Sequence, residues 1–497
     1  MARKLDKDLR RLTSLEDAVR SRGQHLARLS AGLLFLAVAG LAADAFVGTD
    51  SHWGIIVIAS MVSAYMALNV GANDVANNMS PAVGSRTLTI ATAVMIAAVA
   101  EAAGAIIAGG DVVATVSKGI VRPSMMPDAA AFTAAMIAAL FAAALWINLA
   151  TWIGAPVSTT HSVVGGVLGA GITMAGFGVA DWNVVLQIVA SWVVSPVLGG
   201  VIAAAFLAYI KFSVLEADDK VAAARTRVPL LVGIMAGAFT VYVLMKGLSR
   251  IMPVSLWLAL AGGLAVGVIC VLVVRPRVAR RMYGDGLHRT KVGELFTIPV
   301  ICGAALLSFA HGSNDVANAI GPLAAIYQAV GGGMLGEKSP LPFWVLLIGA
   351  AGISVGLLLY GPRLIRTVGS EITKLNRVRA FCITLSAAIT VIIASTLGLP
   401  VSSTHIAIGA LFGVGFLREY LANKENGRQS KAPSPMVDGQ PAKDPRIAAD
   451  KMRRRYLVRR SHMITIVAAW VITVPVTGII AAALAWIIDA SNLIVLE

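Results

Sequence analysis

The chain has 497 residues, of which 57% are apolar and only 13% are charged, and its mean hydropathy is +0.80. This composition excludes an ordinary soluble domain and predicts an all-α polytopic membrane protein, because helices are the plausible spanning element. The net charge of +15 would suit a nucleic-acid-binding face, but the Lys and Arg residues are scattered among five loops. No nucleic-acid partner is therefore expected.

Apolar stretches long enough to cross a bilayer follow one another along the chain. Cytoplasmic loops collect Lys and Arg, and 35 of the 41 such residues fall in the five loops that strict alternation places on the side of the N-terminus. We predict a multi-pass protein of the plasma membrane, the inner membrane of a bacterium, with a cytoplasmic N-terminus. The thirteen predicted spans lie near 28–47, 52–84, 88–109, 129–153, 163–178, 183–210, 230–250, 253–274, 294–333, 342–361, 380–398, 406–420 and 462–488.

Two motifs occur twice and in the same order. Gly-Ala-Asn-Asp-Val-Ala-Asn at 71–77 returns as Gly-Ser-Asn-Asp-Val-Ala-Asn at 312–318. Pro-Val-Ser-Thr-Thr-His at 156–161 returns as Pro-Val-Ser-Ser-Thr-His at 400–405. The chain is therefore an internal duplication. Alternation starts the first copy outside and the second inside, which predicts two inverted-topology repeats, a common construction of secondary transporters.

The duplication and the changes in composition divide the chain into six predicted parts. They are a basic cytoplasmic N-terminus with an extra helix (1–50), transport repeat 1 (51–210), a linker with two extra helices (211–293), the first part of transport repeat 2 (294–420), a basic disordered cytoplasmic loop (421–461) and the final helix of repeat 2 (462–497).

The first motif carries carboxylates and amides into apolar surroundings, where a lone Asp costs roughly 2.5–3.5 kcal/mol. Clustered Asn and Asp favour unwound backbone or a cap, so we expect broken helices at Gly71 and Gly312. Freed carbonyls with Asn and Asp oxygens suit a hard cation such as Na⁺. The alternative is that these residues cap helices at the membrane surface. The predicted cation ligands are Asn73, Asp74, Asn77, Asn314, Asp315 and Asn318.

The second motif places three hydroxyl residues after a proline and before an apolar helix, which is the pattern of a helix N-terminus. Its hydroxyls and free backbone N–H groups can bind an anion, although ordinary N-capping would explain them too. Hydrogen phosphate can donate its O–H to Asp74 or Asp315, whereas sulfate has no such donor at neutral pH. Phosphate is therefore the predicted substrate, and its predicted ligands also include Ser158, Thr159, Thr160, Ser402, Ser403 and Thr404.

The coupling ion is less determined by the sequence. Two acidic, Asn-rich sites favour Na⁺, with no other metal and no cofactor expected. If H⁺ is the coupling ion, His161 and His405 are candidate proton carriers, because histidine titrates near neutral pH. They are otherwise first-turn helix residues bonded to a neighbour. Glu101 is expected to pair either across the repeat interface or with a coupling ion. Arg86 is expected to snorkel to the membrane interface, the alternative being an approach to the anion. His311 has no counterpart in the first copy and receives no role.

With these paired motifs, the chain resembles the inorganic phosphate transporter (PiT) family over about 52–210 and 294–488. The resemblance implies alternating-access symport of phosphate with Na⁺ or H⁺ by an inverted-repeat homodimer. It implies re-entrant hairpins at the Pro-Val-Ser segments. It also implies that the Asn and Asp side chains form the cation sites and contribute to phosphate binding, and that the hydroxyls hold the phosphate.

Three other functions remain open. A transporter of the same fold could carry sulfate or another oxyanion, and an anion channel would show uncoupled flux. An intramembrane metal-dependent hydrolase would use Asp74 and Asp315 with His161 and His405. The sequence contains no His-Glu-x-x-His pair, so we expect a transporter rather than an enzyme and assign no catalytic residue.

Overall fold

The computed structural model describes residues 2–47, 52–155, 157–250, 252–281, 289–330, 341–371, 375–431, 436–437, 440–441, 460–494 and 496. Most of these residues lie in helices that pack together as a bundle. The helices are α1 Ala2–Val47, α2 Trp53–Gly84, α3 Ile90–Ala108, α4 Gly110–Ala114, α5 Ala129–Ile153, α6 Thr159–Ala175, α7 Trp182–Ile210, α8 Lys220–Lys246, α9 Leu256–Arg281, α10 Arg289–Glu294, α11 Thr297–Val330, α12 Phe343–Glu371, α13 Arg377–Thr396, α14 Ser403–Lys431 and α15 Arg460–Ala490.

The helices have the length and the apolar outer surface of membrane-spanning helices. Twelve helical stretches of the described chain are long and apolar enough to cross a membrane. Large apolar side chains cover their outer faces; Trp257 is 80% exposed and Leu264 is 71% exposed. Water would disfavour so much exposed apolar surface, whereas hydrocarbon accommodates it. The predicted all-helical, multi-pass class is confirmed. The predicted span at 163–178 corresponds to α6, whose 17 residues leave it outside the twelve.

Part of the predicted cytoplasmic loop at 421–461 is described. Helix α14 continues into it as far as Lys431. Two antiparallel strands of two residues each, β1 Met436–Val437 and β2 Gln440–Pro441, follow. The rest of the predicted loop lies outside the described residues.

Two groups of helices enclose a polar centre. In one, α2 packs on α12, and α3 packs on α11 and α12; in the other, α7 packs on α13 and α14, and α6 packs on α5 and α15. Helix α11 bridges the groups through contacts with α2, α5 and α13. The residues of both repeated motifs lie where these groups meet. The inverted relation of the two copies stays a prediction.

The expectation of broken helices at Gly71 and Gly312 is wrong, because α2 and α11 continue through both Asn-Asp motifs. A Cβ atom at Gly71 would overlap the backbone carbonyl of Ile353, and one at Gly312 would overlap that of Glu101. The two glycines therefore allow close helix packing rather than unwinding. The polar side chains find partners on other helices, so the helical backbone need not open.

Candidate functional site

The chain does break at the hydroxyl motifs. Helix α5 ends at Ile153, and Gly154 follows with φ +78°, a left-handed conformation that favours glycine. Helix α6 then begins after Ser158, whose Oγ accepts the His161 N–H at 3.1 Å. Pro156 lies outside the described residues. The predicted re-entrant path of this segment stays a prediction.

The second copy has the same local arrangement. Helix α13 ends at Thr396, Gly398 has φ +68°, and α14 begins after Ser402. The Ser402 Oγ accepts the His405 N–H at 3.3 Å. In both copies the first hydroxyl thus caps its helix by accepting a backbone N–H, and the second and third hydroxyls contact other segments.

Asp74 joins both copies of the hydroxyl motif. Its Oδ2 accepts a hydrogen bond from Thr159 Oγ1 at 2.9 Å, and its Oδ1 accepts one from Thr404 Oγ1 at 3.1 Å. The Asn77 amide donates to the same Thr404 oxygen at 2.8 Å. A carboxylate on α2 therefore contacts the start of α6 and the start of α14 together.

Asp315 has the matching position on α11. Its Oδ2 accepts a hydrogen bond from Ser403 Oγ at 3.0 Å. The Asn318 amide donates to Thr160 Oγ1 at 3.1 Å and to Thr159 Oγ1 at 3.3 Å. The sequence-predicted Asn, Asp and hydroxyl residues are thus brought together, and each copy contributes to the surroundings of the other.

Asn73 and Asn314 bind hydroxyls that sequence reasoning missed. The Asn73 amide lies 3.0 Å from Thr151 Oγ1, and the Asn314 amide donates to Ser395 Oγ at 3.0 Å. Thr151 and Ser395 stand near the ends of α5 and α13. Each precedes the capping serine of its own copy by seven positions, so the duplication itself contained the signal.

A histidine and a third carboxylate complete the centre. His311 Nε2 lies 2.9 Å from Asp315 Oδ2 and 3.7 Å from Asp74 Oδ2, and His311 Nδ1 lies 3.2 Å from Glu101 Oε2. The Asn78 amide donates to the other Glu101 oxygen at 2.8 Å. Glu101 thus pairs with a residue of the second copy, which is one of the two alternatives expected for it. His311 could not be assigned from the duplication, because Val70 occupies its place in the first copy.

The two predicted proton carriers lie together in an aromatic setting. The His161 ring stacks on Trp192 at 3.6 Å and the His405 ring stacks on Trp470 at 3.5 Å, with 4.5 Å between the two imidazoles. His161 Nδ1 lies 2.7 Å from Ser158 Oγ. Within the described chain neither imidazole contacts a carboxylate. Proton transfer through them stays a prediction.

Several oxygen atoms of the centre are available to a ligand. Asp74 and Asp315 are 0% and 1% exposed, respectively. Asp315 Oδ1 and Asn318 Oδ1 are buried and have no hydrogen-bond partner among the described residues, whereas Glu101 Oε2 faces His311 Nδ1 at 3.2 Å. Unpaired buried oxygens are costly unless something compensates them, and a cation does so directly. One ligand atom from each of Asp74, His311 and Asp315 lies within 4.8 Å of the others, a spacing that could hold a metal ion.

The fold and this centre define a multi-pass helical membrane protein with a buried polar centre. The matching family model carries the description "Phosphate transporter family" and covers residues 70–481, so the chain belongs to the phosphate transporter family.

Proteins of known sequence and structure resemble it over most of its length. A protein of Helicobacter pylori (strain J99) named "Putative phosphate permease" is 42% identical, across 96% of this chain and 98% of its own. "Inorganic phosphate transporter 2-1, chloroplastic" of Arabidopsis thaliana is 35% identical, across 85% of this chain and 70% of its own. A solved structure described as "The sodium-dependent phosphate transporter" has a TM-score of 0.76 and 33% identity, and covers 88% of this chain and 99% of its own.

Proposed function

We propose that the protein imports inorganic phosphate by symport with Na⁺. The carrying observation is the pair of buried, unpartnered oxygens on Asp315 and Asn318 beside the hydroxyl-bonded Asp74. Carboxylate and amide oxygens are the ligands that a hard cation takes. The sodium dependence named for the similar solved structure supports Na⁺ as that cation.

The substrate follows from the same charges. Asp74 and Asp315 repel any anion unless cations compensate them or the anion donates a proton in a hydrogen bond. Hydrogen phosphate has such a donor and sulfate at neutral pH lacks one. The starts of α6 and α14 supply hydroxyls and positive helix ends, which favour an anion without any Lys or Arg. We assign phosphate contacts to the hydroxyls of both motifs, namely Ser158, Thr159, Thr160, Ser402, Ser403 and Thr404.

Alternating access supplies the transport step of the proposal. The two copies act as inverted repeats whose relative rocking exposes the centre to each side in turn. The contacts between Asp74 and Thr404, one from each copy, support a site shared by both repeats. The Lys and Arg distribution supports a cytoplasmic N-terminus in a bacterial inner membrane. We further propose a homodimer with one pathway in each protomer.

Coupling to H⁺ is the second candidate, and His311 favours it. Its ring lies between Asp315 and Glu101, so a proton on the ring would compensate a carboxylate as a cation does. His161 and His405 remain as carriers in that scheme.

Uptake of radiolabelled phosphate into proteoliposomes tests both candidates, with a Na⁺ gradient or an H⁺ gradient imposed separately. Na⁺-driven accumulation that Asp74→Asn and Asp315→Asn both abolish would support the proposal. Asp128→Asn is the matched control, because Asp128 is an exposed N-cap of α5. Phosphate accumulation that is driven by H⁺ alone and is lost in His311→Gln would identify H⁺, rather than Na⁺, as the coupling ion. Inhibition by excess sulfate equal to that by phosphate would contradict the substrate assignment.

A further inference from the structure

A cavity of about 680 Å³ lies between the end of α2 and helices α7, α10, α13 and α14, apart from the carboxylate centre. Its described lining contains four cationic side chains and no acidic one. They come from three separate places in the sequence: the turn after α7, the start of α13 and the middle of α14. The four are Lys211, Arg377, Arg379 and Arg418.

We propose that this basic cavity is a second anion site, which binds a phosphate-bearing anion at the cytoplasmic end of the bundle. Guanidinium groups match phosphate oxygens with paired donors, and a cleft lined by one sign of charge concentrates the opposite ion. Its volume falls in the range of small-molecule sites, about 300–1,000 Å³. Basic pockets between membrane helices on the cytoplasmic side also bind the phosphates of anionic lipids.

One lining residue has an unfilled donor. The Arg377 Nε is buried and has no hydrogen-bond partner among the described residues. It is one of the donors that a bidentate guanidinium presents to phosphate. Arg377 also opens α13, after Asn376 caps that helix by accepting the Arg379 N–H at 3.0 Å. The positive end of α13 thus adds to the potential of the side chains.

The cavity is a separate place from the proposed transport site. Ser85, which lines it, directly follows the end of α2 and comes 11 residues after Asp74, roughly 16 Å along the helix axis. Arg418 follows Thr404 by 14 residues on α14, roughly 21 Å along the helix. Helices α13 and α14 contribute residues to both sites. An anion bound to cations of α7, α13 and α14 would therefore stabilise the packing of helices that also hold the carboxylate centre.

The lining cations do not all have the same surroundings. Lys211 lies 3.2 Å from Glu216, so it is already partly compensated. Arg377 and Arg418 are therefore the residues to change. Lys424 on α14 is the matched control, because it is exposed, packs over the Tyr420 ring and does not line the cavity.

Binding measurements on the purified full-length protein test the proposal without any transport step. The probes are ³³P-labelled inorganic phosphate and nanodiscs of phosphatidylcholine with or without cardiolipin, the latter followed by native mass spectrometry. The variants are Arg377→Gln, Arg418→Gln, the double variant and Lys424→Gln. Loss of one cation should weaken the binding of the relevant probe about fivefold, and loss of both should weaken it about thirtyfold. Lys424→Gln should leave the binding affinity unchanged.

Either probe can reveal the occupant. A loss for labelled phosphate identifies a soluble phosphate as the ligand, and a loss for cardiolipin identifies a lipid headgroup. Equal binding of both probes by the wild type and the single variants would overturn the proposal. The single variants keep the test valid if the double variant fails to fold. Because neither Arg377 nor Arg418 belongs to the carboxylate centre, failure here leaves the proposed symport to its own test.

Discussion

Replacing Thr404 with Val tests whether the hydroxyl motifs act through the carboxylate centre. The substitution keeps the shape of the side chain and removes two hydrogen bonds, one to the Asp74 carboxylate at 3.1 Å and one from the Asn77 amide at 2.8 Å. A hydrogen bond inside a membrane protein averages about 0.6 kcal/mol, and one to a charged group is about twice as strong. The expected loss is about 1.8 kcal/mol.

Thr160 provides an internal comparison, since it is the equivalent hydroxyl of the first copy. It accepts from Asn318 at 3.1 Å and donates to the Val401 carbonyl at 3.0 Å, and both bonds join neutral groups. Thr160→Val should therefore cost only about 1.2 kcal/mol. Thr173→Val is the control, because the Thr173 hydroxyl is exposed and bonds only to its own helix at Gly169.

Initial rates of phosphate uptake at low substrate concentration report these losses. Vmax/KM should fall about twentyfold for Thr404→Val and about eightfold for Thr160→Val, and should not change for Thr173→Val. A larger loss for Thr160→Val than for Thr404→Val would refute the reasoning, because the bond to Asp74 would then contribute nothing.

Two further predictions concern stability, measured as thermal unfolding midpoints in detergent. Gly71→Ala should destabilise the protein by about 1–3 kcal/mol, because the new Cβ atom would meet a backbone carbonyl. Gly54→Ala on the same helix is the control, since its Cβ atom would enter open space, and it should stabilise the protein by up to about 1 kcal/mol. A stabilising effect of Gly71→Ala would contradict close packing at this position. The hydrogen bond from Arg122 holds the pKa of Asp181 below its ordinary value, so the ionised Asp181 side chain stabilises the folded protein. This stabilisation should be present near neutral pH and lost as the pH falls through the lowered pKa. A difference in unfolding midpoint between the wild type and Asp181→Asn that persists in acid would contradict the prediction.

The sequence predicts the class of protein and most residues of the carboxylate centre, because both depend on patterns that are visible in the linear sequence. Apolar stretches of spanning length indicate the helices, and the duplicated motifs identify Asp74, Asp315 and their hydroxyl partners. Thr151 and Ser395 occupy the same position relative to the capping serine in the two copies, so their contacts with Asn73 and Asn314 also follow the duplication.

Other features depend on contacts between distant segments. Gly71 resembles a helix break in its sequence setting, and only the carbonyl of Ile353 shows that it is a packing position. His311 and Glu101 are far apart in sequence and lack matching partners in the other copy, so the duplication cannot reveal that they meet. The basic cavity draws its cations from three regions, which the positive-inside pattern treats as separate loops.

We propose that phosphate and Na⁺ move together through the centre held by Asp74 and Asp315. Simultaneous uptake of ²²Na⁺ and ³³P-phosphate into the same proteoliposomes tests it most directly. We predict that each label enters only when the other ion is present, and that Asp315→Asn abolishes the coupled entry of both. Phosphate accumulation without any Na⁺ entry, or with unchanged coupling in Asp315→Asn, would contradict the account.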